Sequence, residues 1–288
     1  MLQSMFSGIS GLRTHQRRMD VIGNDIANVN TPGYKQSDVS FKEAYVYTLK
    51  APAAGTPGQQ VGLGAQLGGI VKNFRGGILM ETGQSPNMGI SGEGFFCVAE
   101  RGAVATENSF TRAGDFILDV YGGNTYLINP DGQRLRGQMA ANFGDPAPDL
   151  TGVDITVAGL QDIDLSMGGT LNVTSFSIGL DGVIYVSDSG GTPDVVGRVA
   201  LATFDNNTGL LATGSNLFQR TDAAGIRTLA NPGENGVGQI FQGYLENSNV
   251  DLAQEFSDMI ITQRGFQANS RSITTSDEIL MELLSLKR

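Results

Sequence analysis

"NVDLAQEFSDMIITQRGFQANSRSITTSDEILMELLSL", residues 249–286, repeats a stripe at alternating spacings of three and four: Leu252, Phe256, Met259, Gln263, Phe266, Ser270, Ile273, Asp277, Leu280 and Leu284. That period is the one a helix uses to lay one face along a partner. Asn249 is placed to cap the start, and Asp251 and Glu255 fall in the early turns, where the positive end of the helix dipole favours acids. The stretch predicts a single helix of more than about thirty residues, far beyond the globular average. A helix of that length needs an equally long partner.

The other end of the chain supplies one. Leu2, Met5, Ile9, Leu12, Gln16, Met19, Gly23 and Ile26 keep the same alternation, with Arg13, Arg17, Arg18 and Asp20 on the opposite face. A helix over this span is roughly 37 Å long at about 1.5 Å per residue. Gly8, Gly11 and Gly23 each weaken it by about 0.5–1 kcal/mol relative to Ala, so it should order when its apolar face is covered and be loose without that cover. The expected seam is Leu2, Met5, Ile9, Leu12, Met19 and Ile26 in the first helix with Leu252, Phe256, Met259, Phe266, Ile273, Leu280 and Leu284 in the last. Polar members of the stripe, Gln16, Gln263, Ser270 and Asp277, weaken an isolated two-helix coil and suit a pair surrounded by neighbouring copies. The simpler reading is an antiparallel hairpin inside a monomer. Against it, Phe6, Val21, Ile22, Ile261, Ile279, Met281 and Leu283 lie off the stripe, and a monomer leaves some of them in water.

"NDIANVNTPGYKQ", residues 24–36, ends the first helix. Asn24, Asn28, Asn30, Pro32 and Gly33 are the turn and linker residues: Asn competes for backbone hydrogen bonds, Pro32 disfavours helical geometry at Thr31, and Gly33 admits positive φ. An imperfect extended stretch follows, and "APAAGTPGQQVGLG", residues 51–64, reads as a loop or flexible arm. "GLGAQLG" lacks the strand, helix and acidic residue of a dinucleotide loop, so no cofactor is assigned to it.

From about residue 70 to 240, short apolar runs alternate with turn signals. "GFFCV", "DFILDV", "TYLI", "LRGQM", "VTSFSIG" and "VIYVSD" read as antiparallel strands, with turns at 122–123, 130–132 and 181–182. Residues 142–154 and 222–236 read as surface excursions. The predicted fold class is mixed α+β, with long coiled-coil-forming helices at both termini and a central antiparallel β-rich domain. Its expected divisions are an axial helix over 1–30, a linker over 31–72, the β-rich domain over 73–235, a return connector over 236–249 and an axial helix over 250–288.

The chemistry of catalysis is sparse. The 288 residues carry a formal net charge of −10 with only 19 Lys and Arg, which argues against a nucleic-acid partner. Cys97 is the single cysteine and sits in an apolar run, excluding a disulfide framework and a cysteine metal cluster. His15, the single histidine, reads as a surface residue of the first helix. Asp162 and Asp164 alternate in an extended stretch, and Asp181 and Asp188 read as turn residues. No strained-elbow serine is present, so no catalytic, cofactor or metal residue is assigned and no enzyme is expected. No stretch has the length and apolarity of a membrane span, so membrane insertion is not expected, and the opening residues do not resemble a signal peptide. A secreted β-domain that binds a surface or glycan is the reading from a different class.

"MFSGISGLRTHQRRMDVIGNDIANVNTPGYK", residues 5–35, resembles the N-terminal signature of bacterial flagellar rod and hook proteins, and "GYLENSNVDLAQEFSDMIITQRGFQANSRSITTSDEILMELLSLK", residues 243–287, resembles the matching C-terminal one. "ISGEGFFCV" at 90–98 and "FTRAGDFILD" at 110–119 are similar to internal pieces of that family. The resemblance implies an axial structural subunit whose paired terminal helices line a helical tube, with the β-domain outward. It implies self-assembly into a helical homopolymer, neighbours among the rod or hook–filament junction proteins, a hook cap, and passage through the flagellar type III export apparatus without a cleavable signal. The expected location is the hook or basal body, outside the cytoplasmic membrane. Asp25 departs from the family pattern, which commonly has Asn there. Within the family, "QRGFQANSRSITTSDEIL" and "GQQVGLGAQLGGI" look most like a compact hook protein, which transmits torque from rod to filament, with the distal rod next.

Overall fold

The computed structural model of the chain describes residues 2–51, 57–102, 108–140, 160–167, 173–187, 193–225, 227–234 and 236–286. Two compact units emerge, one of Met1–Val29, Gln36–Asn73 and Val250–Arg288, the other of Asn30–Lys35 and Phe74–Asn249. The architecture is α+β: long helices from the two chain ends, and an antiparallel β-rich body from the middle.

In the first unit, helix α1 spans Leu2–Ala27 and helix α2 spans Leu252–Leu286. They run antiparallel, with Ser4 Oγ 3.4 Å from Ser276 Oγ near one end and Arg18 paired to Asp258 at 3.2 Å toward the other. α1 stops where Asn28 turns back, its backbone N–H donating to the Asn24 carbonyl at 3.1 Å and its side-chain amide donating to the same oxygen at 2.9 Å. α2 begins at Asp251, whose carboxylate accepts from the backbone N–H groups of Ala253 at 2.8 Å and Gln254 at 3.4 Å. The cap is therefore Asp251 and not Asn249. Two ribbons complete the unit: Ser37–Glu43 pairs with Ala65–Lys72, and Val46–Lys50 pairs with Gln59–Gly62. The second pairing corrects the loop expected over 51–64 at Gln59–Gly62 alone, and residues 52–56 lie outside the described residues. Its Gln59–Gly62 strand has no apolar alternation and is held by backbone bonds, which a hydrophobic pattern does not report.

In the second unit, thirteen strands among the described residues form one antiparallel sheet. Its main path runs Ser175–Ile178, Val183–Ser187, Pro193–Val199, Arg134–Met139, Phe95–Ala99, Ser109–Thr111, Leu217–Gln219 and Leu211–Gly214. Two apolar clusters hold it. One centres on Met88, Ile90, Phe96, Leu127, Ile184 and Ile240; the other stacks Phe74, Phe95, Phe110, Phe204 and Phe218 edge to face around buried Cys97. Each such side chain contributes about 1.5–3 kcal/mol on burial. The excursion expected over 222–236 contains a strand, Arg227–Ala230, paired to Leu201–Phe204. The break at 142–154 and Asp188 lie outside the described residues.

Candidate functional site: a buried clasp and a helix seam

The turn after α1 is plugged into the β-rich unit. Gly33 takes φ 69°, and a Cβ there would lie 2.5 Å from the Ala113 nitrogen, so only glycine lets this backbone approach "FTRAG" so closely. Its N–H donates to the Glu246 carbonyl at 2.8 Å. The Pro32 carbonyl accepts from the Asn216 side chain at 2.9 Å. Two residues on, Lys35 Nζ donates to Glu246 Oε1 at 2.6 Å and to the Arg75 carbonyl at 2.8 Å. Arg112 Nη1 reaches the other carboxylate oxygen at 3.2 Å, while its guanidinium lies 5.3 Å from the Phe95 ring centre. The Gly77 N–H gives the Glu246 carboxylate a third donor, reaching Oε1 at 2.7 Å.

The clasp joins pieces from the start, middle and end of the chain, and its three charged side chains are buried. Burial draws the Lys35 ammonium below its ordinary value, and the Glu246 carboxylate pulls it back up. Such a pair adds little net stability over an apolar replacement, yet removing one partner strands a charge. Asn249 belongs to the same knot, its amide donating to the Arg75 carbonyl at 3.3 Å.

In the first unit, small and polar residues line the contact between α1 and α2. Cβ atoms added to Gly8, Gly11 and Gly265 would lie 3.0 Å from Ile273, 2.7 Å from the Asn269 amide and 2.6 Å from the His15 ring. His15 is half-buried between Gly265 and Phe41, not a surface residue, and its Nδ1 has no hydrogen-bond partner among the described residues. Burial, and then Arg18, holds its pKa below the ordinary value. Of the expected seam residues, Met5, Leu12, Met19, Ile26, Met259, Ile273 and Leu280 are half-buried, whereas Ile9, Leu252, Phe256, Phe266 and Leu284 are exposed, Leu284 at 69%. The Leu2 side chain lies outside the described residues. Among the turn residues, Asn24 and Asn30 are exposed, Asn28 and Pro32 half-buried, and Gly33 buried.

Where α1 ends, Asp25 is buried and accepts from the Ser37 N–H at 3.2 Å, while Gln36 donates to the buried Glu255 carboxylate at 2.5 Å. Burial, with Asp25 and Asp258 nearby, pushes the Glu255 carboxyl up. Asp25 thus serves as an acceptor for the strand that follows.

The described acidic candidates of the middle, Asp162, Asp164 and Asp181, are used structurally, Asp181 accepting from the Val183 N–H at 3.3 Å. Asp162 is bridged by Arg134 at 3.1 Å and Arg136 at 3.3 Å, and Asp164 accepts from the N–H groups of Thr125 and Ser166. The described residues hold no cluster of three potential metal-ligating side chains. Sequence patterning does not single out Lys35, Arg112 or Glu246, although each lies inside or beside a motif that carries the resemblance.

Three family models match the chain. The flagella basal body rod protein model matches residues 5–35, the flagellar hook protein FlgE/F/G D1 domain residues 89–186, and the flagellar basal body rod FlgEFG protein C-terminal model residues 242–286. The chain is 38% identical over 299 aligned residues to flagellar basal-body rod protein FlgG of Bacillus subtilis (strain 168), covering 100% of both chains. It is 34% identical over 295 to FlgG of Buchnera aphidicola subsp. Acyrthosiphon pisum, covering 99% of this chain and 100% of that one. With flagellar hook protein FlgE of Borreliella burgdorferi the identity is 27% over 448 aligned residues, covering 100% of both.

Proposed function

The chain belongs to the flagellar rod and hook protein family, a family of structural proteins, and from that membership we propose that it is a distal rod subunit, part of the drive shaft of the basal body. The observation that carries this reading is the end-to-end likeness to rod proteins at 38% and 34% identity, against 27% to a hook protein over a longer alignment. It reverses the order expected from the two short motifs, which place the hook first.

The charge distribution supports an assembling role for the helical unit. Lys and Arg equal Asp and Glu across Met1–Val29, Gln36–Asn73 and Val250–Arg288, so the whole acidic excess of the chain falls in the β-rich unit. Copies can therefore bring their helices together with little net repulsion. Phe6, Ile260, Ile261, Met281 and Leu286 are each more than half exposed, apolar surface that further copies would cover. Contacts with adjoining rod and hook components, and export through the flagellar type III apparatus, belong to the same proposal; a hook cap would act beyond this subunit.

Deletion of the gene followed by electron microscopy of basal bodies tests the assignment. A truncated rod is the expected result. A completed rod that lacks only the hook would return the chain to the hook reading.

A further inference from the structure

On the side of α1 facing away from Ser4, Gly8, Gly11 and His15, Ile9, Arg13 and Arg17 form one row in steps of four, and Asp20 follows about a turn later. All four are exposed, and the charged ones have no ion-pair partner among the described residues. The last turns of α2 carry the complement in reverse order: Leu286, Glu282 and Glu278 in steps of four, then Arg271, again exposed and, among the described residues, without an ion pair. Laid antiparallel, Ile9 meets Leu286, Arg13 meets Glu282, Arg17 meets Glu278, and Asp20 comes within about one turn of Arg271.

These rows cannot meet inside one molecule. The seam register sets Ser4 beside Ser276 and Gly11 beside Asn269, which leaves Arg13 roughly 20 Å short of Glu282 at about 1.5 Å per residue. We infer that the two rows are the two sides of a contact between successive copies of this chain, the outer face of α1 in one copy lying on the C-terminal third of α2 in the next, staggered by roughly 20 Å. The occupant is a second copy because the rows complement each other in sign and order throughout, and in spacing at the three pairs Ile9–Leu286, Arg13–Glu282 and Arg17–Glu278. The contact is heterologous, so each added copy leaves one row open at each end and growth continues. The inference rests on the rod reading and names the surface through which it operates.

A charge swap tests it on the full chain. Arg13→Glu/Arg17→Glu sets acid against acid, and Glu278→Lys/Glu282→Lys sets base against base. Each double variant alone should lose about tenfold or more in self-association by sedimentation. Mixed in equal amounts, the two should co-assemble, because every α1 row then finds a row of opposite sign. Should either variant assemble like the parent, or the mixture fail to recover, the contact is wrong. If a variant loses helical signal, Ile9→Cys/Leu286→Cys replaces the swap: a disulfide between copies is expected on assembly, and its absence overturns the contact. The rod reading stands or falls separately, on the truncated rods of the deletion strain.

Discussion

Glu246 and Lys35, 211 residues apart in the chain, meet at 2.6 Å with both side chains fully buried, and Arg112 closes on the same carboxylate. Glu246→Gln keeps the shape and removes the charge, leaving two buried cations facing a neutral amide. The expected loss is about 3–5 kcal/mol. Calorimetry of the full chain should show the β-rich unit melting well below the parent, with Lys35→Met less damaging because Arg112 still pairs with the Glu246 carboxylate.

Gly33→Ala should be poorly tolerated for a separate reason. It sets a Cβ on a positive-φ backbone and drives that atom into the Ala113 nitrogen, whereas Gly83, also at positive φ, has open space around the same position. Chemical denaturation should therefore give a loss of several kcal/mol for Gly33→Ala and about 1 kcal/mol for Gly83→Ala.

These two sites mark what a sequence conveys and what it does not. Apolar periodicity is local, so both long helices, the α+β class and strands such as Phe95–Ala99 are legible from spacing alone. Lys35 and Glu246 pair across most of the chain, and neither has a neighbour in sequence that announces the other. Asn30, Pro32 and Gly33 announce a turn, but the body into which it plugs is visible only in three dimensions. The Gln59–Gly62 strand escapes a reading of apolar pattern because backbone pairing writes no pattern into side chains. His15 reads as a surface residue because the glycine that opens its pocket, Gly265, lies on the other helix.

The glycines of the helical unit divide by what they face. A Cβ at Gly23 would meet nothing within 4 Å, so Gly23→Ala should add about 0.5–1 kcal/mol through helix propensity. Gly11→Leu must push Asn269 aside and separate the helices, a loss of about 1–3 kcal/mol. Circular dichroism during urea titration of both variants would show the opposite signs.

The helical unit should lose stability on mild acidification through His15. Its folded pKa lies below the 6.5 of the unfolded chain, so the unfolded chain takes up the proton first. The contribution is complete above 6.5 and is lost as pH falls from there toward the folded value. Glu255 acts with the opposite sign. Its raised carboxyl costs stability at neutral pH, a cost relieved as pH falls through its folded value toward 4.5. The His15→Gln variant separates the two: the stability difference between parent and variant should shift against the parent between about pH 7.5 and 5.5.

Hydrogen exchange across α1 and α2, measured on the free chain and on the assembled rod, bears most directly on whether these helices owe their order to neighbouring copies. Their amides should exchange quickly in the free chain and become protected in the rod, while the sheet around Phe95–Ala99 stays protected in both. Equal protection of α1 and α2 in the two states would contradict the account.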